Sequence, residues 1–418
     1  MTHKVSTLSN GMKVVTDTVP HVESITIGLW THVGTRDENN NQMGMAHFLE
    51  HMIFKGTSKR SAQDIADEIE SVGGHFNAYT SREQTAYYIR ALADHTLLAL
   101  DILSDVLKNS TFVDHEFARE KNVILQEIGQ CHDTPDDIIF DDFMATAYPE
   151  QSAGWSILGT VDTVQNFTKS QLIEFVQQQY SPRKMVLSVA GKIDHEWLHQ
   201  KAEEFFGDFK PNTPQIAKAE AVYKGGKFTR KRELEQTHII AGFQGLPLGH
   251  KLYYPMHVFS TLWGGGMSSK LFQEVREKRG LAYSIYSFCH HFSDGGTLGI
   301  YAGTDPKRAT ELLDCLQDLF HQAPENISEN EVKRAQTQLK SNILMSRESM
   351  SSRCEIAAQH TLHYGQPKNI ESIIQKIEDV TLTDIKKVIE HLYDSIPTLC
   401  AIGPNKSTDS ALNFSIKR

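Results

Sequence analysis

Apolar and polar positions alternate along several short segments of this chain, with the two-residue period of a half-buried β-strand. Residues 24–33 are an example, with isoleucine and leucine side chains on one face. Residues 62–72 instead repeat apolar side chains at helical spacing, and Ser61 with Asp64 forms a capping-box pattern at their start. Because strands and long helices occur in both halves, we predict the α+β class, with mostly antiparallel sheets that carry helices on one side.

A weak internal repeat indicates two similar domains. The segment around Asp94 recurs around Asp305, and later strands and helices repeat at nearly the same spacing of about 212 residues, an ordinary domain length. Residues 211–226 contain prolines and a Gly-Gly pair with little apolar periodicity, so we interpret them as a linker. The sequence therefore predicts a first domain at 1–210 and a second domain at 227–418.

Composition and charge narrow the function classes. The chain has 418 residues, a formal net charge of −10 and no apolar stretch of membrane-spanning length, so we expect neither nucleic acid nor membrane as a partner. Its five cysteines are widely spaced and include no Cys-x-x-Cys pair, which disfavours a disulfide framework and favours a reducing compartment. The start has the features of neither a secretory signal nor a transit peptide. We therefore expect a bacterial-type cytoplasmic enzyme rather than a protein of the mitochondrial matrix.

The most informative polar pattern lies at residues 47–51, with the sequence HFLEH. In a helix, His47, Glu50 and His51 share one face. Two imidazoles one turn apart can bind a zinc ion, and a carboxylate between them can hold a water molecule against that metal. This His-x-x-Glu-His order is a signature of inverzincin peptidases, although it can also arise by chance in a chain with 20 histidines. Gly56 predicts the end of the helix.

A zinc site of this kind needs a third protein ligand. Residues 114–131 have the pattern of a helix that carries Glu116, Glu120 and Glu127 along one side, beside an apolar stripe. Most acidic stripes of this kind are solvated helix faces. The residues alone therefore leave both a solvated face and a metal ligand open.

Several motifs together make a family resemblance specific. Glu127 lies 76 residues after His51, and with the HFLEH motif this pattern resembles the pitrilysin, insulysin and mitochondrial processing peptidase family. Residues 73–85 are similar to the segment that follows the zinc helix in the processing peptidases. Residues 264–272 and 276–283 are similar to segments of their second half. The resemblance covers essentially the whole chain and is closest to the short, two-domain bacterial members.

The resemblance implies a zinc metalloendopeptidase with two domains of the same fold. It implies hydrolysis of unfolded peptides or presequence-like segments, with one zinc ion per active site held by His47, His51 and Glu127. Glu50 is the expected general base and acid. Glu120 is the expected supporting carboxylate of the catalytic site, and a surface ion pair is the alternative for it.

The resemblance also implies how a peptide substrate binds. Asn77, Ala78 and Tyr79 are expected on an exposed edge strand near the zinc, where a peptide adds as a further strand; an ordinary paired strand is the alternative. Arg276 and Tyr283 are expected to contact the substrate carbonyl and backbone from the half opposite the zinc domain. In a chain of only two domains this pair is expected from a second subunit, which predicts a homodimeric chamber with the site completed in trans. The alternative is a solvated Arg276 and a core Tyr283.

Two other functions compete with the peptidase hypothesis. One is a non-catalytic, processing-peptidase-like partner subunit of a heteromeric complex, whose known examples lack parts of the zinc motif. The other is a zinc-binding scaffold without turnover. The complete motif disfavours the first, and Glu50 disfavours the second because a carboxylate there has no structural purpose.

Overall fold

Strands and helices alternate along the parts of the chain that the computed structural model describes, residues 3–210, 218–404 and 407–409. The strands are β1 (His3–Thr7), β2 (Lys13–Thr18), β3 (Ser24–Thr31), β4 (His75–Thr80), β5 (Thr85–Leu92), β6 (Met185–Gly191), β7 (Gly226–Lys231), β8 (Thr237–Gln244), β9 (Ala282–His291), β10 (Gly296–Thr304) and β11 (Thr398–Gly403). The α-helices are α1 (Met45–Met52), α2 (Ala62–Glu70), α3 (Thr96–Asn109), α4 (Asp114–Asp133), α5 (Pro135–Ala147), α6 (Val161–Asn166), α7 (Lys169–Gln179), α8 (His195–Phe206), α9 (Tyr253–Gly264), α10 (Ala309–Asn326), α11 (Glu329–Ser346), α12 (Met350–Tyr364), α13 (Ile370–Glu378) and α14 (Leu382–Tyr393). Short 3-10 turns lie at Thr35–Asp37, Ala93–His95, Ser152–Gly154, Pro182–Lys184 and Pro306–Arg308, and a π-helical segment lies at Phe272–Lys278. Residues 407–409 are also helical. None of the helices in these ranges is both long and apolar enough to cross a membrane.

The strands pair in two sheets of the same design. The first sheet has the order β1-β2-β6-β3-β5-β4, and the second has the order β7-β11-β8-β10-β9. In each sheet one pair is parallel, β2 with β6 and β7 with β11, and the other pairs are antiparallel. Apart from β1, the two sheets therefore match strand for strand in order and direction. This confirms the predicted α+β class with two similar, mostly antiparallel domains.

The two compact units of the chain are not contiguous in sequence. The first consists of Met1–Gly129, Ser156–Ala219 and Leu344–Asn369, and the second consists of Gln130–Trp155, Glu220–Ile343 and Ile370–Arg418. Each unit thus takes one segment from the half of the chain that forms most of the other unit. Of the predicted linker, residues 211–217 lie outside the described part of the chain, and residues 218–225 form neither helix nor strand.

Helices cover both faces of the first sheet. Ile27 and Leu29 of β3 pack in the main core with Phe48 of α1. Trp30 follows Leu29 directly and packs instead with Cys354 of α12. Successive strand residues point to opposite faces, so α12 lies on the face opposite α1. The narrower prediction of helices on one side is therefore wrong. β6 is buried at every position, and its largely apolar sequence is typical of a strand that is covered on both faces.

The second sheet is also covered on both faces. Phe243 of β8 packs against Phe320 of α10, with ring centroids 4.9 Å apart. The neighbouring Gly242 faces the other way, where a Cβ atom would lie 2.5 Å from the Phe143 ring of α5. Glycine at this position lets α5 approach the strand closely.

Candidate metal centre

Helix α1 starts where a buried carboxylate caps its first turn. Glu38 accepts hydrogen bonds from the backbone N–H of Gly44 at 2.9 Å and of Ala46 at 2.8 Å, donors that a helix start leaves without intrahelical partners. Gly44 has a φ of 91°, a conformation that favours glycine. Burial raises the pKa of Glu38 well above its usual range, although the two amide donors oppose this rise. The helix ends at Met52, four residues before the predicted stop at Gly56.

The two histidines of this helix converge with Glu127 of α4. His47 Nε2 lies 3.8 Å from Glu127 Oε2, and His51 Nε2 lies 3.6 Å from the same oxygen. Both separations are too long for a hydrogen bond and are close to the roughly 3.4 Å between neighbouring ligand atoms on a tetrahedral zinc ion. The donor set therefore fits zinc. Within the described ranges, no other group of three His, Cys, Asp or Glu side chains converges in this way.

Helix α4 brings its carboxylates to the histidines by packing on α1. The rings of Phe117 and Phe48 meet edge to face, with centroids 4.7 Å apart, and this contact lies in the main core. Glu120 and Glu127 are two helical turns apart and both reach His51. Glu116, the third acidic residue of the predicted stripe, pairs with Arg119 instead.

Glu120 lies behind His51, one of the three converging side chains. Its Oε2 is 3.0 Å from His51 Nδ1, and its Oε1 is 2.9 Å from Lys55 Nζ. The Glu120 side chain is only 3% exposed, so it is not a surface ion pair. A carboxylate on Nδ1 leaves Nε2 of the same ring free to bind a metal.

Glu50 lies on the same face of α1 but outside the ligand cluster. Its Oε2 accepts a hydrogen bond from the Thr80 hydroxyl at 2.6 Å, which ties α1 to the end of β4. Burial raises the pKa of Glu50, while the Thr80 hydrogen bond and His51 partly oppose the rise. A raised carboxyl pKa is typical of a group that takes up and releases protons near neutral pH.

The pKa values of the two histidines shift in opposite directions. Burial, with a smaller contribution from His51, lowers the pKa of His47 to about 3, so its ring is neutral and can act as a ligand. Burial also lowers the pKa of His51, but Glu120 and Glu127 outweigh it and raise the value overall. The same carboxylates would balance the charge of a divalent cation.

Residues 77–79 lie on β4, which is an edge strand of the first sheet in the described part of the chain. The backbone N–H of Ala78 donates to the Asn77 side chain at 2.8 Å rather than to β5, so it lies on the free side of the strand. The Tyr79 hydroxyl donates to Glu355 of α12 at 2.8 Å and accepts from Trp30 Nε1 at 3.3 Å. The Tyr79 side chain thus anchors the strand from the sheet face that α12 covers, and no other strand of the described residues pairs with the outer backbone edge of β4.

Arg276 and Tyr283 lie together in the second unit, on either side of the turn at Gly280. The Arg276 guanidinium stacks 4.4 Å from the centroid of the Tyr283 ring and 4.6 Å from that of Phe272, a cation–π arrangement. Tyr283 is 76% exposed, so it is not a core residue.

Four residues of this site have no counterpart in the predicted set. Helical spacing could have indicated Lys55, because it follows His51 by four residues. Thr80 and Glu355 had no sequence signal, because each reaches its partner from a distant segment of the chain. Glu38 lies only six residues before Gly44, but it precedes the helix and belongs to no spacing pattern.

Two family models match the chain. Residues 13–161 match the model described as insulinase (peptidase family M16), and residues 166–339 match the one described as the peptidase M16 inactive domain. An uncharacterized zinc protease of Rickettsia felis is 40% identical over 402 residues, covering 96% of this chain and 97% of that protein. The uncharacterized zinc protease YmxG of Bacillus subtilis is 36% identical over 405 residues, covering 97% and 99%.

Two solved structures have the same fold. A protease from Helicobacter pylori has a TM-score of 0.87 at 23% identity and covers 96% of this chain and 99% of that one. A protein from Pseudomonas fluorescens described as a peptidase M16 inactive domain has a TM-score of 0.89 at 20% identity and covers 97% and 99%. Together with the sequence matches, these findings confirm the predicted resemblance. The chain belongs to peptidase family M16, the insulinase family, and is similar to its short, two-domain bacterial members.

Proposed function

We propose that this chain is a zinc metalloendopeptidase that hydrolyses unfolded peptides or presequence-like segments. The observation that carries the proposal is the convergence of His47, His51 and Glu127 within 4.8 Å of one another, with Glu50 on the same helix face. Two imidazoles, one carboxylate ligand and a nearby free carboxylate are the set that zinc peptidases use.

One zinc ion per active site would be held by His47 Nε2, His51 Nε2 and Glu127 Oε2. Zinc bound in such a set supplies Lewis acidity, which polarises a peptide carbonyl and makes a water molecule more acidic. His47 is neutral and buried, and Glu120 holds the His51 ring from its other nitrogen. These residues therefore keep both lone pairs aimed at the same point.

Glu50 would move the protons of the reaction. As a carboxylate it accepts a proton from the attacking water, and as a carboxylic acid it donates that proton to the nitrogen of the leaving amine. Its raised pKa suits a group that must hold the proton between these two steps. Thr80 holds one oxygen of Glu50 at 2.6 Å and so limits the positions that the carboxylate can adopt.

A peptide substrate would add to the outer edge of β4 as an extended strand. Main-chain hydrogen bonds to such an edge carry no side-chain information, which suits substrates of varied sequence. Asn77 covers the outward N–H of Ala78, so an incoming peptide carbonyl must compete with the Asn77 side chain for that donor. Tyr79 would contribute by fixing the strand rather than by touching the peptide.

A second copy of the chain would complete the active site. Arg276 and Tyr283 form a stacked, solvent-accessible pair, and a tyrosine hydroxyl is a suitable donor to a developing oxyanion. A chain with only two such domains offers this pair to the zinc domain of a partner, so a homodimeric chamber is part of the proposal. All five cysteines are unpaired, which suits a reducing compartment and the proposed cytoplasmic location.

The alternative is a non-catalytic subunit of a heteromeric complex. A subunit of that kind has no need of a proton-transfer group beside the metal, whereas this chain keeps Glu50 together with its Thr80 partner. The alternative therefore leaves the Glu50 carboxylate and its Thr80 partner without a purpose.

The test is Glu50→Gln, with elemental analysis of the purified protein and cleavage of a quenched unfolded peptide. We expect zinc at wild-type content and a loss of cleavage of about 10²- to 10⁴-fold, with wild-type cleavage abolished by a chelator. Glu116→Gln is the matched control, because it neutralises a glutamate on α4 that pairs with Arg119 and His115 rather than with the histidines of the site. Wild-type protein without zinc, or Glu50→Gln with full cleavage, would contradict the proposal.

A further inference from the structure

We propose that Lys55 is a positioning residue of the metal centre, because its ammonium group holds the carboxylate that orients His51. The inference rests on the proposed function, since it concerns the affinity of the site for zinc. It adds a third layer to the site: His51 binds the metal, Glu120 holds His51, and Lys55 holds Glu120.

The two oxygens of Glu120 have separate partners. Oε1 lies 2.9 Å from Lys55 Nζ, and Oε2 lies 3.0 Å from His51 Nδ1. A carboxylate that is held at both oxygens cannot turn about its terminal carbon–carbon bond without breaking one of these contacts. The contact with Lys55 therefore keeps Oε2 aimed at the imidazole.

The orientation of the His51 ring decides where its other nitrogen points. With Nδ1 fixed by Glu120, Nε2 lies 3.6 Å from Glu127 Oε2, at the point where the ligand atoms converge. Without Lys55, the 3%-exposed Glu120 would lose one of its two contacts and would be free to turn about its terminal carbon–carbon bond. The ring would then sample orientations that do not bind the metal, and zinc affinity would fall.

The fold places Lys55 for this contact. Helix α1 ends at Met52, and the chain turns so that Lys55 N donates to Met52 O at 3.1 Å. The turn leads into the wall of a cavity of about 600 Å³, and the Lys55 side chain, 29% exposed, extends from that wall to Glu120. Lys59 lines the same cavity, but its ammonium group lies 3.9 Å from Asp101.

Lys59 therefore serves as a matched control for Lys55. Both are lysines of one loop and one cavity wall, and only Lys55 reaches a residue that touches a proposed metal ligand. A general effect of surface charge on the site would act through both residues. An effect through Glu120 would act through Lys55 alone.

The experiment measures the zinc dissociation constant of full-length protein by competition with a chromophoric chelator, without any substrate. We expect Lys55→Met to weaken zinc binding by about three- to tenfold, less than the loss of Glu120 itself. Lys55→Arg should restore most of the affinity, because it keeps a cation in reach of Glu120. Lys59→Met should match the wild type. The thermal midpoint of the metal-free protein should be similar in all of these variants, and Lys55→Gln replaces Lys55→Met if the latter does not fold.

A double-mutant cycle tests the route of the effect. If Lys55 acts through Glu120, adding Lys55→Met to Glu120→Gln should change the zinc dissociation constant by less than about twofold. Wild-type affinity in both Lys55→Met and Lys55→Gln, or independent losses in the double mutant, would overturn the inference. A wild-type protein that binds no zinc would instead contradict the proposed function, so the two failures are distinct.

Discussion

The two sheets have the same strand order, yet the helices packed on them carry different chemistry. In the first unit, α1 presents two histidines and a glutamate, and α4 meets them with Glu120 and Glu127. In the second unit, α9 occupies the corresponding place in chain order but contains one histidine, His257, and no acidic residue. The helix that corresponds to α4 is α11, where Gln338 donates to the backbone oxygen of Gly265 just beyond α9.

The fold requires only that α9 and α1 bury apolar side chains, whereas the candidate metal site also requires specific polar contacts around α1. Most of α9 is buried, including Phe259 and Trp263, so this helix can be a plain core element. α1 is buried on its other faces as well, but it needs Glu38 for the free N–H groups of its first turn, Glu120 for His51 and Thr80 for Glu50. The fold therefore supplies only a helix beside an edge strand, and the metal site depends on a few side chains and their partners.

The sharpest test of this difference is to remove one histidine from each unit. His47→Ala should lower zinc content to near zero and peptide cleavage by at least about a thousandfold, because a ligand is lost. His257→Phe should keep both at wild-type values, since a ring of similar shape keeps the packing against Tyr253 and His291. Elemental analysis and a quenched-peptide assay measure the two quantities.

Far-UV circular dichroism controls for folding in both variants. Full zinc content in His47→Ala would mean that the three converging side chains are not the metal ligands. Loss of zinc in His257→Phe would mean that the second unit contributes to the metal site, which would remove the contrast between the two helices.

Mixing two inactive chains tests whether the two kinds of unit cooperate across subunits. One chain carries Glu50→Gln, and the other carries Arg276→Ala with Tyr283→Phe. If sites form in trans, each mixed dimer has one site with Glu50 from one chain and the Arg–Tyr pair from the other. With random pairing, half of the dimers are mixed and half of their sites are intact, so activity should recover to about a quarter of wild type.

The control mixes Glu50→Gln with His47→Ala, which are both defects of the zinc domain. No recovery is expected there, because every site contains one defect. Confirmed mixed dimers without activity in the first mixture would rule out completion in trans, and a recovery in both mixtures would point to chain exchange or contamination. Native mass spectrometry establishes that the mixed dimers form.

Much of the site could be predicted because its signals are local. His47, Glu50 and His51 are fixed by helical spacing, and the family pattern identified Glu127 although it lies 76 residues beyond His51. The strand and helix types followed from apolar periodicity, and Ser61 accepts from the Asp64 N–H as the capping box predicted. Apart from Glu127, these features depend on neighbours within one or two helical turns, which a sequence displays directly.

Apart from the cap that Glu38 forms on α1, the contacts that were missed join distant segments and have no periodic pattern. The Tyr79–Glu355 hydrogen bond spans 276 residues, and the packing of Cys354 against Trp30 comes from a helix in the other half of the chain. Nothing local to α12 indicates that it lies on the first sheet. Its apolar positions would suit either unit, and only the tertiary fold places α12 on the face of the first sheet opposite α1.

A smaller expected effect concerns the acid stability of the second unit. Burial, with a smaller contribution from His291, lowers the pKa of His257 to about 4, below the ordinary value near 6.5. Below pH 6.5, His257 binds a proton in the unfolded chain but stays neutral in the folded chain, so the free energy of unfolding falls as the pH falls toward 4. His257→Phe should therefore lose less stability between pH 8 and pH 5 than wild type, by about 2 kcal/mol. Thermal midpoints at the two pH values measure this difference, and an equal loss in both proteins would contradict it.

The smallest expected effect distinguishes the edge strands of the two sheets. On β4, the Tyr79 hydroxyl bonds to Glu355 of α12, whereas on β9 the Tyr286 ring stacks on Tyr301, with centroids 5.2 Å apart. Tyr79→Phe removes an anchor of the proposed substrate strand, and a loosened strand costs binding rather than chemistry, so KM should rise about two- to fivefold with little change in kcat. Tyr286→Phe keeps its stacked ring and should leave KM unchanged. Steady-state kinetics at constant zinc content measure both parameters. A fall in kcat at constant KM for Tyr79→Phe would mean that the Tyr79–Glu355 hydrogen bond acts on the proposed catalytic groups near Thr80. Equal KM values in both variants would mean that this hydrogen bond has no effect on peptide binding.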